Sequence, residues 1–145
     1  GYLTNITGDA LVKAGTGLTL TTLNQSGGIV VLQGFANTPT LVNKTAGTLT
    51  INGGSVTTVT VDGGKFNYNG VGTITTLNIS DGAEANFTQD MSARTVTNAN
   101  LYKGGSIIDS FKTVTWTNGV DLVRCSLAEV TLDLGIHVTI TPSAV

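Results

Sequence analysis

Five short segments of the chain repeat one design: TTLNQSGG (21–28), GTLTINGG (47–54), TTVTVDGG (57–64), TTLNISDG (75–82) and NANLYKGG (98–105). Each spaces apolar or β-favouring residues two apart, then closes with a polar residue and glycine. A period of two is the signature of a strand with one buried face. Further strand-like runs follow the turns: IVVL, SVTTV, KFNY, AEANF and SIID. The repeats begin 26, 10, 18 and 23 residues apart, and loops such as GFANTPT (34–40) and TQDMSA (88–93) absorb the difference. After residue 110 the pattern decays to TVTWTNGVDLV and VTLDLGIHVTI, which keep the alternation and the turn glycines Gly119 and Gly135.

Two all-β architectures satisfy such a pattern. Asp-Gly and Asn-Gly turns between alternating strands normally signal hairpins, and hairpins give a β-sandwich or meander. Self-similarity favours the other, a single-chain parallel β-helix (β-solenoid) of about six coils, in which equivalent residues stack ~4.8 Å apart. Coils of this length are similar to right-handed parallel β-helices. On this reading Leu23, Leu49, Val59, Leu77 and Leu101 form one internal column, and Ile51, Val61 and Ile79 form a second. Residues 1–145 make one domain: 1–17 an N-terminal cap or edge with a helical turn near 9–13, 18–110 the clearest repeats, 111–145 the decayed ones. The only other helical candidate is 120–130, which alternates equally well with period two.

Composition narrows the function classes. Only 11% of residues are charged, net charge is −2, and 26 threonines supply much of the polarity. Nothing in that balance suggests a nucleic-acid footprint or a polybasic membrane patch. No apolar run reaches the ~18 residues of a membrane helix. The start at Gly1 rather than Met reads as a processed protein or a piece of a longer one.

Few residues suggest chemistry. Cys125 stands alone, so it reads as a small buried residue. His137, between Ile136 and Val138, is expected to face outward. Asp62 and Asp81 fall in similar turns and would stack close together if they occupied the same place in neighbouring coils. That slot also takes Asn52 and Lys103, so turn geometry explains it better than catalysis or calcium. No catalytic residue, cofactor or metal is expected. Among the aromatics, Phe66 and Tyr68 share a strand face, and Tyr68, Tyr102 and Trp116 are the candidates for facing a ligand such as a cell-surface glycan.

Repeats of the kind TITTLNISDG and TLTINGGSVTTVTVDGG resemble the Thr/Gly-rich β-solenoid segments of bacteriophage virion proteins (head-decoration, fibre and tailspike type), and are similar to repeats of autotransporter-type adhesins. The resemblance spans residues 21–140 and implies a structural, non-enzymatic part of a virion or extracellular assembly. It also implies self-association, a homotrimer in the phage case. The alternatives are a receptor- or glycan-binding adhesin and, third, a polysaccharide-degrading enzyme with acids converging in a groove. The C-terminal VTITPSAV lacks an obvious polar cap, and pairing with a partner subunit is expected there.

Overall fold

The computed structural model describes residues 5–13, 20–33, 39–135 and 138–142. Its strands are β1 (Asn5–Ile6), β2 (Ala10–Lys13), β3 (Thr22–Gln25), β4 (Ile29–Gln33), β5 (Leu41–Lys44), β6 (Thr48–Asn52), β7 (Val56–Val61) and β8 (Lys65–Tyr68). They continue with β9 (Thr73–Ile79), β10 (Glu84–Asn86), β11 (Arg94–Leu101), β12 (Ser106–Ile108), β13 (Val114–Trp116), β14 (Val120–Leu122), β15 (Thr131–Asp133) and β16 (Ile140–Pro142). One sheet runs β1-β3-β5-β7-β9-β11-β14-β16, with β13 also on β11; the other runs β15-β12-β10-β8-β6-β4-β2. Every pairing among the described residues is parallel, so the chain is a β-solenoid of about six turns, not a hairpin sandwich.

Register shows how the coils stack. Leu23, Val42, Val59, Leu77, Ala99, Val120 and Ile140 form one column. These residues lie 19, 17, 18, 22, 21 and 20 positions apart, which is the true coil length. Val30, Leu49, Phe66, Ala85, Ile107 and Leu132 form the facing column of the second sheet. The expected columns therefore need correction. Leu49 and Ile51 belong to the opposite sheet, and Leu101 stacks on Ile79 and Val61 instead of on Leu77. GTLTINGG is a β6 segment with the same strand-and-turn wording as β7, and its start only 10 residues before the next repeat marks it as half a coil away.

Inward residues of both sheets are almost fully sealed; Leu23, Val59, Phe66, Leu77 and Ile79 are all 0% exposed. Each such side chain contributes roughly 1.5–3 kcal/mol on burial, which is why like stacked on like stabilises the solenoid. In the long strands the alternation slips once. Thr57–Thr58, Thr75–Thr76 and Thr97–Asn98 each put two consecutive residues on the outside. That slip is a corner, and it adds a third inward column of Val56, Ile74, Val96 and Trp116.

The turns stack as tightly as the strands. Gly47 and Gly64 adopt φ of 76° and 73°, the left-handed region that favours glycine. A Cβ on Gly47 would lie 2.2 Å from the Gly28 carbonyl oxygen below it. Residues 10–13 are strand β2 and not the helical turn expected there: they pair with Val30–Gln33, and ladder bonds outweigh a weak local helical pattern. The helical element among the described residues is one 3-10 turn at Leu127–Glu129.

Candidate functional site

A concave feature of the described surface lies where β12 passes into β13. Asp109 follows β12 and is 1% exposed. Its Oδ1 accepts from the Thr113 amide at 3.0 Å and the Thr113 hydroxyl at 3.3 Å. Its Oδ2 accepts from the Val114 amide at 3.2 Å and from Trp116 Nε1 at 3.4 Å. The carboxylate thus folds the loop that launches β13. Lys112, at φ 57°, completes the tight turn. A cavity of about 380 Å³ opens beside it, lined by Asp109, Lys112, Val114, Trp116, Gly135 and Val138.

Beneath this loop lies Arg94, 3% exposed, the first residue of β11. Its Nε donates to the Ser92 carbonyl at 2.9 Å, and its terminal nitrogens donate to the Tyr68 and Asp90 carbonyls. Burial lowers the Arg94 pKa, while the nearby charges of Asp90 and Asp109 raise it. Asp90 is held below the usual carboxylate range chiefly by the Ser92 backbone amide and then by the Ser92 hydroxyl. The constellation knits the 88–93 loop to the core. Its donors and acceptors are spent on backbone and on neighbouring side chains, and a single carboxylate with four protein donors is poorly placed for proton transfer.

Asp62 and Asp81 do not occupy the same place in neighbouring coils. Asp62 lies over Ser80, whose hydroxyl donates to Asp62 Oδ1 at 2.7 Å, because Val61 pairs with Ile79. Asp81 falls one position later, in the left-handed region at φ 52°. Most other acids serve local contacts. Asp9 accepts from the Ile29 amide, Asp133 from the Ser110 hydroxyl, and Glu129 from the Ser126 amide. Among the described residues no three His, Cys, Asp or Glu side chains group as a metal site. His137 lies outside the described residues.

The three candidate ligand-facing aromatics separate. Tyr68 is 0% exposed and is corrected to a core residue: β8 points it inward with Phe66. Its hydroxyl donates to the Gly54 carbonyl, and burial pushes its pKa up to about 12. Trp116 is likewise buried, at 8% exposure, and lines the cavity. Phe66, Tyr68, Phe87 and Trp116 form a chain of ring contacts with centroids 5.5–6.3 Å apart. Tyr102 alone is exposed, in the turn after β11.

Gln25 and Lys44, polar residues in the core, also went unread. Gln25 and Lys44 stack in the column continued by Val61, Ile79, Leu101 and Leu122. Gln25 Nε2 donates to the carbonyls of Gly27, Gly28 and Thr48 at 3.0–3.1 Å. Lys44 Nζ donates to the carbonyls of Ala46, at 2.5 Å, and Gly47. Burial lowers the Lys44 pKa to about 8. The alternation LVNK carries the signal, since a residue two beyond inward Val42 must also point inward. Cys125 is half-buried, its Sγ donating to the Leu101 carbonyl at 3.4 Å, and burial raises its pKa. No protein-family model, curated protein or solved structure matches the chain.

Proposed function

We propose that this protein is a structural, non-enzymatic element of a virion or extracellular assembly, a rigid β-solenoid that associates with copies of itself through its faces as a homotrimer. The observation that carries the reading is where the polar side chains go. Asp62, Asp90, Asp109, Arg94, Gln25 and Lys44 all bond to their own turn or the adjoining coil. These chemistry-bearing groups are consumed in stiffening the stack, and the outer face of β3, β5, β7, β9 and β11 is regular and carries no charged side chain.

One detail directs association to those faces. Val120 donates to the Thr139 carbonyl, so Thr139 and Thr141 turn their backbone groups toward β14. Ile140 and Pro142 therefore point theirs to the outer edge of β16, and Pro142 has no N–H to offer there. A proline in that position blunts strand addition. The resemblance of the repeats to phage solenoids supports three subunits. Light scattering after size exclusion tests the reading. A stable trimer with marked protease resistance is expected; a monomer at every concentration overturns it.

A further inference from the structure

The third inward column described above dictates an outer pattern as well. Val56, Ile74, Val96 and Trp116 point inward, so their flanking residues point out: Ser55 and Thr57, Thr73 and Thr75, Thr95 and Thr97, Thr115 and Thr117. Four consecutive coils thus present the same row, a β-hydroxyl residue on each side of a buried one. Register stacks Thr73, Thr95 and Thr115 directly. Thr57, Thr75, Thr97 and Thr117 form the companion column, with Thr57, Thr75 and Thr117 exposed. Strand geometry sets the spacing at ~4.8 Å between rows and ~6.6 Å across each row.

Apart from Ser55, whose Oγ accepts from the Thr73 amide at 3.0 Å, these hydroxyls differ from the neighbouring polar ladder. On the same sheet Asn43 donates to Asn24, Asn78 to Thr60 and Asn100 to Asn78, so those side chains satisfy one another. The hydroxyls of Thr57, Thr73, Thr75, Thr95, Thr97, Thr115 and Thr117 bond no protein group among the described residues. The patch carries no charge, and β-branching restricts each side chain at χ1, so little freedom remains to be lost on docking. Its rows are copies of each other. A single small ligand would use one row; only a partner with its own matching repeat engages all four.

We propose that this threonine array is an ice-binding surface. The row spacing of ~4.8 Å lies within a few tenths of an ångström of the oxygen repeat along the a axis of hexagonal ice, and the ~6.6 Å across a row falls short of the c-axis repeat by roughly a tenth of its length. Methyl and hydroxyl groups held at those intervals order water into positions that an ice face continues. Crystalline polysaccharide is the other periodic, uncharged partner, but sugar planes are gripped by aromatic platforms; Phe66, Tyr68, Phe87 and Trp116 are turned into the core, and the exposed Tyr102 and Phe111 lie in turns and not in the array.

The test is freezing-point depression of the purified chain in a nanolitre osmometer, with crystal shape recorded. The expected result is a gap between melting and freezing points and faceted crystals. Thr75→Lys, in the middle of the array, should abolish most of the gap. Thr117→Lys, on the outer row, serves as a second variant should the first fail to fold. Thr131→Lys, exposed on the opposite sheet, should leave the gap unchanged. No gap at millimolar wild-type protein, a gap insensitive to both array variants, or retention on chitin or cellulose without a gap would each overturn the proposal.

Discussion

Leu77 lies directly over Val59, both sealed from solvent, in the parallel register of β9 on β7. Antiparallel zigzag strands would not bring these two together. Leu77 also touches the coil above through Ala99, a small residue that leaves the leucine to fill the space. Leu77→Ala should therefore open a cavity spanning two coils and cost about 2–5 kcal/mol. Urea unfolding followed by circular dichroism measures it; a loss under 1 kcal/mol would mean that the coils close over the gap.

The stacked turns predict a contrast between two glycines of equal backbone conformation. Gly47 and Gly82 both have φ of 76°. A Cβ at Gly47 would overlap the Gly28 carbonyl, whereas nothing lies within 4 Å of one at Gly82. Gly82→Ala should cost only the left-handed strain, about 1–2 kcal/mol. Gly47→Ala should cost about 4 kcal/mol or more, since the Gly27–Gly28 backbone of the adjoining turn must move. Thermal melts of the two variants decide the matter, and equal shifts would contradict the turn stacking.

Lys44 gives the fold a pH dependence of definite sign. Its pKa falls from 10.5 to about 8 on burial, so the unfolded chain holds the proton more tightly than the folded one. The penalty is fully present below pH 8 and is relieved as pH rises from about 8 to 10.5. Stability should climb across that window, with a slope no steeper than about 1.4 kcal/mol per pH unit. The neutral amine still donates to the carbonyls of Ala46 and Gly47, so deprotonation keeps the turn intact. Comparing unfolding midpoints of wild type and Lys44→Met from pH 7 to 10.5 isolates this residue: the difference between them should vary with pH, and a constant offset would refute it.

The solenoid itself was legible because one strand-and-turn phrase recurs, and stacking rewards such recurrence. The assignment of each phrase to a sheet was not, since β6 and β7 share wording while facing each other across the core. Only the 10-residue interval before TTVTVDGG distinguishes them. Asp62 and Asp81 looked equivalent for the same reason, but an extra serine before Asp81 moves Ser80 into the stacked position. Tyr68 illustrates a different limit. Alternation pairs it with Phe66 on one face, but which face is inward depends on the neighbouring coils. Arg94 and Asp109 stayed hidden because long-range packing, and not any local pattern, brings them together.

Asp109 is the one buried acid among the described residues. Its two oxygens accept from Thr113, Val114 and Trp116, and it lies near the buried guanidinium of Arg94. In Asp109→Asn one oxygen becomes an NH2 facing donors, and Arg94 loses a nearby counter-charge. The expected cost is about 3 kcal/mol. Asp62→Asn provides the comparison, because the Ser80 hydroxyl can still donate to an amide oxygen at an exposed turn; a change within ~0.5 kcal/mol is expected there. Trp116 is the only tryptophan in the chain, so its fluorescence during urea unfolding reads the affected loop directly. The Asp109 variant should unfold at lower urea with altered native emission, and an unchanged midpoint would show that the carboxylate does not hold the loop.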